Sequence, residues 1–226
     1  VVYIAVAIGW CGALDLLHMV VLDGMQLLPG NSADPAIQLW VAARFIQAVA
    51  LVSAPLLLYR SVRPLLMQAG FGMAAVLSAA LIANDFFPAA YVDGQGLTPF
   101  KIYAEYVIIG LLTGALALLW RQRALMSTRL LANLMAAVVF MILSELAFTR
   151  YVSVYATANL VGHLLKIFAY WYVYLALVHS TLREPFSMLA RAASTYDAVP
   201  DPTLIVTADG KIHQANAAAA LFAGQA

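Results

Sequence analysis

The stretch Leu130-Leu131-Ala132-Asn133-Leu134-Met135-Ala136-Ala137-Val138-Val139-Phe140-Met141-Ile142-Leu143-Ser144-Glu145-Leu146-Ala147-Phe148 carries a single charge, Glu145, near its end. Roughly 20 mostly apolar residues, each rising about 1.5 Å, cross the hydrocarbon core of a bilayer, so this segment reads as a transmembrane helix. Outward from it in both directions, the segments 1–22, 37–59, 65–83, 102–120 and 154–182 have the same character. The fold expected is all-α, a polytopic transmembrane helix bundle with six spans. Composition agrees: 64% of residues are hydrophobic and 10% charged, against about a quarter charged in a soluble domain. A net charge of +1 without a Lys/Arg cluster argues against a nucleic-acid partner and leaves the lipid bilayer as the surrounding medium. Cys11 is the only cysteine, which excludes a disulfide within the chain.

The connections 23–36 and 84–99 hold Pro, Gly, Asn and Asp, residues with defined roles in turns. Orientation follows from arginine. Arg60 and Arg63, then Arg121, Arg123 and Arg129, then Arg183 and Arg191, fall on one side when six helices alternate, whereas the other side offers Lys101 and Arg150. The positive-inside rule places the arginine side in the cytoplasm. Val1 and Ala226 are then both cytoplasmic, and the bundle is multi-pass in the plasma (inner) membrane. The chain opens inside an apolar run and stops soon after a new pattern begins, so it reads as a piece of a longer protein with one or more helices expected upstream.

The transmembrane region is read as 1–184. Pro185 lacks the amide hydrogen an interior helix bond needs, so it is expected to start a new helix or kink the old one at the membrane exit. A cytoplasmic connector helix is expected over 185–196. From 197 to 226 the pattern changes again: Leu204-Ile205-Val206-Thr207 and Lys211-Ile212-His213-Gln214-Ala215-Asn216 are β-prone runs around Asp209-Gly210, which is a hairpin signal. An Ala-rich helix is expected after Asn216.

Charges inside spanning helices are costly and mark candidate functional sites. Asp15 and His18, Arg44, Lys101 and Glu105, Glu145, and Asn159, His163 and Lys166 come from five different helices and are predicted at similar depth in the outer half. The inner half has almost none. Asp15 and His18 are spaced i,i+3, Lys101 and Glu105 i,i+4, and Asn159, His163 and Lys166 share one helical face. The layer is therefore read either as a ligand-binding site or as a buried ion-pair network that holds the bundle together. His18 and His163 are the candidate metal ligands, since imidazole is the commonest metal ligand. A haem b held by both is one reading, with Arg44 or Lys166 near its propionates. Zinc completed by Asp15 or Glu145, a quinone head group bonded by His and Arg, and a proton-linked switch without ligand stand beside it. The aromatic run Phe168, Tyr170, Trp171, Tyr172 and Tyr174 reads as bundle packing or lipid contact. Gly110, Gly114 and Gly162 read as close helix packing, and Trp10, Trp40 and Trp120 need no ligand.

Several blocks together carry a resemblance: Leu14-Asp15-Leu16-Leu17-His18, Leu39-Trp40-Val41-Ala42-Ala43-Arg44, Pro99-Phe100-Lys101-Ile102-Tyr103-Ala104-Glu105-Tyr106, Leu143-Ser144-Glu145-Leu146-Ala147-Phe148, Tyr151-Val152-Ser153-Val154-Tyr155, Gly162-His163-Leu164-Leu165-Lys166 and Leu182-Arg183-Glu184-Pro185. The chain up to Pro185 resembles the third type of membrane-associated sensor (MASE) domain. The tail from Ala198 to Asn216 is similar to the opening of an α/β PAS domain. The resemblance implies a bacterial or archaeal receptor, compatible with a homodimer, in which a small-molecule or redox signal in the bundle passes to PAS and to an output domain in cis, a histidine kinase or diguanylate cyclase.

No nucleophile elbow, phosphate loop, HExxH or paired-cysteine motif is present, so any enzyme activity is expected outside this stretch. Two rivals remain at this level. An ion- or proton-conducting transporter requires polar residues through the inner half as well. A membrane b-type electron carrier would use the same two histidines.

Overall fold

Six helices long and apolar enough to cross a membrane make up most of the computed structural model, which describes residues 2–22, 33–58, 60, 62–149, 157–178 and 184–224. They are α1 (Val2–Val21), α2 (Asp34–Ser53), α3 (Pro64–Ala83), α4 (Pro99–Arg121), α5 (Thr128–Phe148) and α6 (Thr157–Val178). Most of the loop expected at 23–36, Arg150, the 151–155 block, His179 and Arg183 lie outside the described residues. Prolines open α2, α3 and α4 within their first two positions, where the missing N–H has no intrahelical partner to lose. The Thr98 hydroxyl caps α4 by accepting the Lys101 amide at 3.2 Å.

α2 is the central helix. It packs against α1, α3 and α4, and residues 36–44 are buried without a break. The outer helices bury a stripe only. α1, for example, buries Ile4, Ala7, Cys11 and Leu14, while Leu16, Leu65, Met73 and Ile167 stay exposed on surfaces that hydrocarbon covers at no cost. The sequence predicted one uninterrupted helix over 37–59. Instead the α-helix ends at Ser53 and a 3-10 turn follows at Ala54–Leu57. Pro55 is the cause, because it has no amide to give to the carbonyl of Leu51.

One end of the bundle carries Arg60, Arg63, Arg121, Arg123 and Arg129; the other carries a small hairpin between α3 and α4. Its strands, β1 (Tyr91–Val92) and β2 (Gly96–Leu97), pair antiparallel, and Gly94 and Gly96 take φ of +78° and +90°, which only glycine adopts without strain. The hairpin is tied to the start of α2. Asp34 Oδ1 accepts the amides of Ala90 and Tyr91, both at 2.7 Å. The Gln38 amide donates to the carbonyls of Phe87 at 3.3 Å and Pro88 at 3.1 Å. Leu97 packs on Trp40 and Phe148, so the hairpin closes over the layer described below. Asp34→Ala leaves two amides without their charged acceptor and is expected to cost about 1.5–3 kcal/mol, read from reversible unfolding in mixtures of SDS and mild detergent.

The chain divides into two units, Val1–Leu177 and Val178–Ala226. The second holds α7 (Glu184–Asp197), an antiparallel pair β3 (Leu204–Val206) and β4 (Ile212–Ala215), and α8 (Ala217–Phe222). Pro185 is the second residue of α7. Gly210 takes φ of +81° in the hairpin turn, and the Thr207 hydroxyl, with Lys211, holds the exposed Asp209 carboxyl below its ordinary range. Asn216 organises the unit. Its side chain is fully buried; the oxygen accepts the amides of Thr203 and Ala219 at 2.9 Å, and the nitrogen donates to the carbonyls of Val199 at 3.1 Å and Asp201 at 2.9 Å. One side chain thus caps α8 and binds it to the segment that leads out of α7.

Candidate functional site

Toward the hairpin end, the charged residues singled out in the sequence meet as three ion pairs. Arg44 of α2 pairs with Asp15 of α1, Lys166 of α6 with Glu145 of α5, and Lys101 with Glu105 one turn along α4 at 2.8 Å. Arg44, Lys101, Glu105 and Glu145 are at most 1% exposed. The pairs are linked. The Glu105 carboxyl lies against that of Glu145, and the Lys101 ammonium also donates to the Phe148 carbonyl at 2.9 Å. Each of the three buried basic side chains thus has a carboxyl partner. That pairing is what makes their burial tolerable, since an unpaired charge in hydrocarbon is not.

Trp40 stands at the centre of this layer. The Arg44 guanidinium lies over its indole at 4.4 Å and the Lys166 ammonium at 5.4 Å from the ring centre, both within cation–π range. The rings of Phe148, His163 and His18 pack on it with centroids 5.0, 5.3 and 5.6 Å away. The sequence reading treated Trp40 as needing no ligand and Tyr170 as part of a packing run. Both belong to the layer: the Tyr170 hydroxyl meets Arg44 at 2.5 Å and donates to Asp15 at 3.4 Å. Gln47, buried beside them, accepts from Arg44 at 2.9 Å. Helical spacing carried the signal for all three, since Trp40 and Gln47 lie four before and three after Arg44, and Tyr170 lies four after Lys166.

Not every predicted site residue is in the interior. Asp15 keeps 26% of its side chain exposed, His18 and Asn159 are half-buried, and His163 is exposed although it packs on Trp40 and Phe148. His18 Nδ1 lies 2.7 Å from the Ala36 carbonyl. A carbonyl only accepts, so Nδ1 carries the hydrogen, and in the neutral ring Nε2 is then the acceptor. Asp15, His18 and His163 therefore bring polar atoms to the flank of the bundle formed by these six helices.

A haem held by both histidines needs the space between and around their rings, and the indole of Trp40 lies against both. Among the described residues no three His, Cys, Asp or Glu side chains gather in a way that could hold a metal ion.

Gly162 sets the spacing of α5 and α6. A Cβ there would stand 2.5 Å from the Phe148 ring, and the Ser144 hydroxyl donates to the Gly162 carbonyl at 2.9 Å. Gly162→Ala is expected to push Phe148 away from Trp40 and to cost about 1–3 kcal/mol by overpacking, with the same SDS unfolding assay as the check.

Fold and site define a polytopic membrane protein with a buried layer of ion pairs in one half of its bundle. The chain belongs to MASE3, a family of membrane-associated sensor domains, whose match covers residues 1–185. No match was found among curated proteins or among solved structures.

Proposed function

We propose that this domain is the input half of a signalling receptor, and that it senses a small uncharged ligand at the flank where Asp15, His18 and His163 border the layer. The observation that carries this reading is that each buried cation already has a partner. Arg44, Lys101 and Lys166 already have carboxylate partners, so an anionic or cationic ligand would leave one member of a buried pair unmatched. An uncharged molecule with hydrogen-bonding groups would instead meet the half-buried imidazole of His18 and the exposed imidazole of His163. A quinone head group, which reaches such a flank from within the bilayer, is the form of ligand to test first.

Conduction is less well supported. Among the described residues of the bundle, the buried charged side chains all belong to this layer, whereas an ion path needs polar groups across the full depth. The positive-inside rule puts that arginine-rich end, and the C-terminal unit with it, in the cytoplasm. There α7 would connect α6 to a PAS domain opened by β3 and β4, and to a histidine kinase or diguanylate cyclase beyond it.

A ligand shifts such a receptor only by binding two packing states with different affinity. In vesicles containing the full-length receptor, titration with a short-chain ubiquinone and its quinol is expected to change output activity. His18→Ala and His163→Ala are expected to lose that response. Wild-type output that stays flat across the titration removes quinone as the ligand, and a full response in both variants removes the site.

A further inference from the structure

At the arginine-rich end, away from the paired layer, the described residues leave two apolar spaces between the helices. A cavity of about 370 Å³ lies where the first turn of α1 meets the ends of α2, α4 and α6 and the start of α5. A groove of about 440 Å³ runs between α2 and α3, past Phe45, Val49 and Phe71. The two share Tyr3, Val62 and Met67 as walls, so they lie side by side as two arms with a common wall. Packed interiors rarely leave voids larger than a water molecule, and each arm is the size of a small-molecule site.

The cavity has an identifiable cause. Pro55 ends the α-helical part of α2 and turns the chain into a 3-10 segment that lines it. The Tyr3 hydroxyl bonds Ser53 at 2.8 Å, and its ring meets Phe71 at 5.2 Å, which places Tyr3 on the wall the two arms share. The walls are otherwise apolar. Arg60 is the only charged side chain lining the space among the described residues, and it is exposed.

Two adjacent apolar arms, one of them with a cation on its wall, match the chemistry of an anionic diacyl lipid. We propose that the pair of arms binds an anionic phospholipid, with one acyl chain in each arm and the phosphate on Arg60. By the orientation proposed above, the lipid comes from the cytoplasmic leaflet. Ala176 and Leu177 of α6 line the same cavity, so the bound chain touches the last turn of the helix that leads to α7. Lipid occupancy thereby bears on the end of the bundle that signals, independently of the Trp40 site.

The test uses the full-length receptor, delipidated in a non-ionic detergent and melted with added dioleoyl phosphatidylglycerol or dioleoyl phosphatidylcholine. Phosphatidylglycerol is expected to raise the melting temperature several degrees more than phosphatidylcholine. Arg60→Gln, at an exposed position, is expected to bring the two lipids level. Val49→Trp, which is 47% exposed in the unliganded groove, should fill one arm and remove the stabilisation by both lipids. His163→Ala should keep the full lipid effect, which separates this site from the Trp40 site. Equal stabilisation of the wild type by the two lipids, or none by either, overturns the proposal, as does selectivity that survives Arg60→Gln.

Discussion

Replacing Arg44 with Met is expected to destabilise the bundle by about 3 kcal/mol, at the lower end of the roughly 3–5 kcal/mol seen when one member of a buried ion pair is removed. The lower end applies because Asp15 keeps 26% of its side chain exposed and regains part of its solvation. Lost hydrogen bonds are the smaller part of the cost, since interhelical bonds in bilayers average about 0.6 kcal/mol. The larger part is the carboxylate left without a partner beside Tyr170 and Trp40. Arg44→Lys should recover only a fraction. One ammonium cannot bond Asp15, Gln47 and Tyr170 while lying flat on an indole, as the guanidinium does. Arg44→Met combined with Asp15→Asn removes both charges and is expected to recover most of the loss, because exchanging a whole buried pair is often close to neutral. Reversible unfolding of the four proteins in SDS and mild detergent completes a double-mutant cycle. A double variant no more stable than Arg44→Met would show that the cost does not come from the orphaned carboxylate.

How much of this was legible in the sequence depended on the kind of interaction. Spans were legible because length and hydropathy are local: the stretch 130–148 appears as α5, Thr128–Phe148. The polar layer was legible as a layer, since charges are rare in such segments and their depth follows from counting along each helix. Partners were not. Only Lys101 and Glu105 pair within one helix; Arg44 with Asp15 and Lys166 with Glu145 cross between helices, and one sequence holds no record of which faces meet. Trp40 and Tyr170 were passed over because an aromatic residue in an apolar run has an ordinary packing explanation. Their spacing from Arg44 and Lys166 was the usable signal. The end of α2 at Ser53 was foreseeable from Pro55 alone. The hairpin at 91–97 is two residues long on each side, too short for alternation to show, although Asp93-Gly94 marks its turn.

Trp40→Ala is expected to have the largest effect of any single replacement in the bundle. Truncating a buried Trp costs about 3–5 kcal/mol through lost contacts and the cavity left behind, and two cations lose their aromatic face, worth up to about 2 kcal/mol where desolvated. Because a variant that fails to fold says nothing about sensing, Trp40→Phe is the informative companion. It keeps an apolar ring for Phe148 and Leu97 to pack on, and a smaller, electrostatically weaker face for Arg44. Its melting temperature should stay within a few degrees of wild type while half-maximal output in the quinone titration moves at least several-fold. The argument for that separation is geometric. His18 of α1, Phe148 of α5 and His163 and Lys166 of α6 all bear on one indole from α2, so a ligand that changes the packing of that ring changes four helices at once. A helix bundle responds to such a change by moving between discrete packings rather than by deforming smoothly. If Trp40→Phe leaves the titration unchanged and Trp40→Ala melts with the wild type, the indole is neither the centre of the layer nor the element through which α6 is moved.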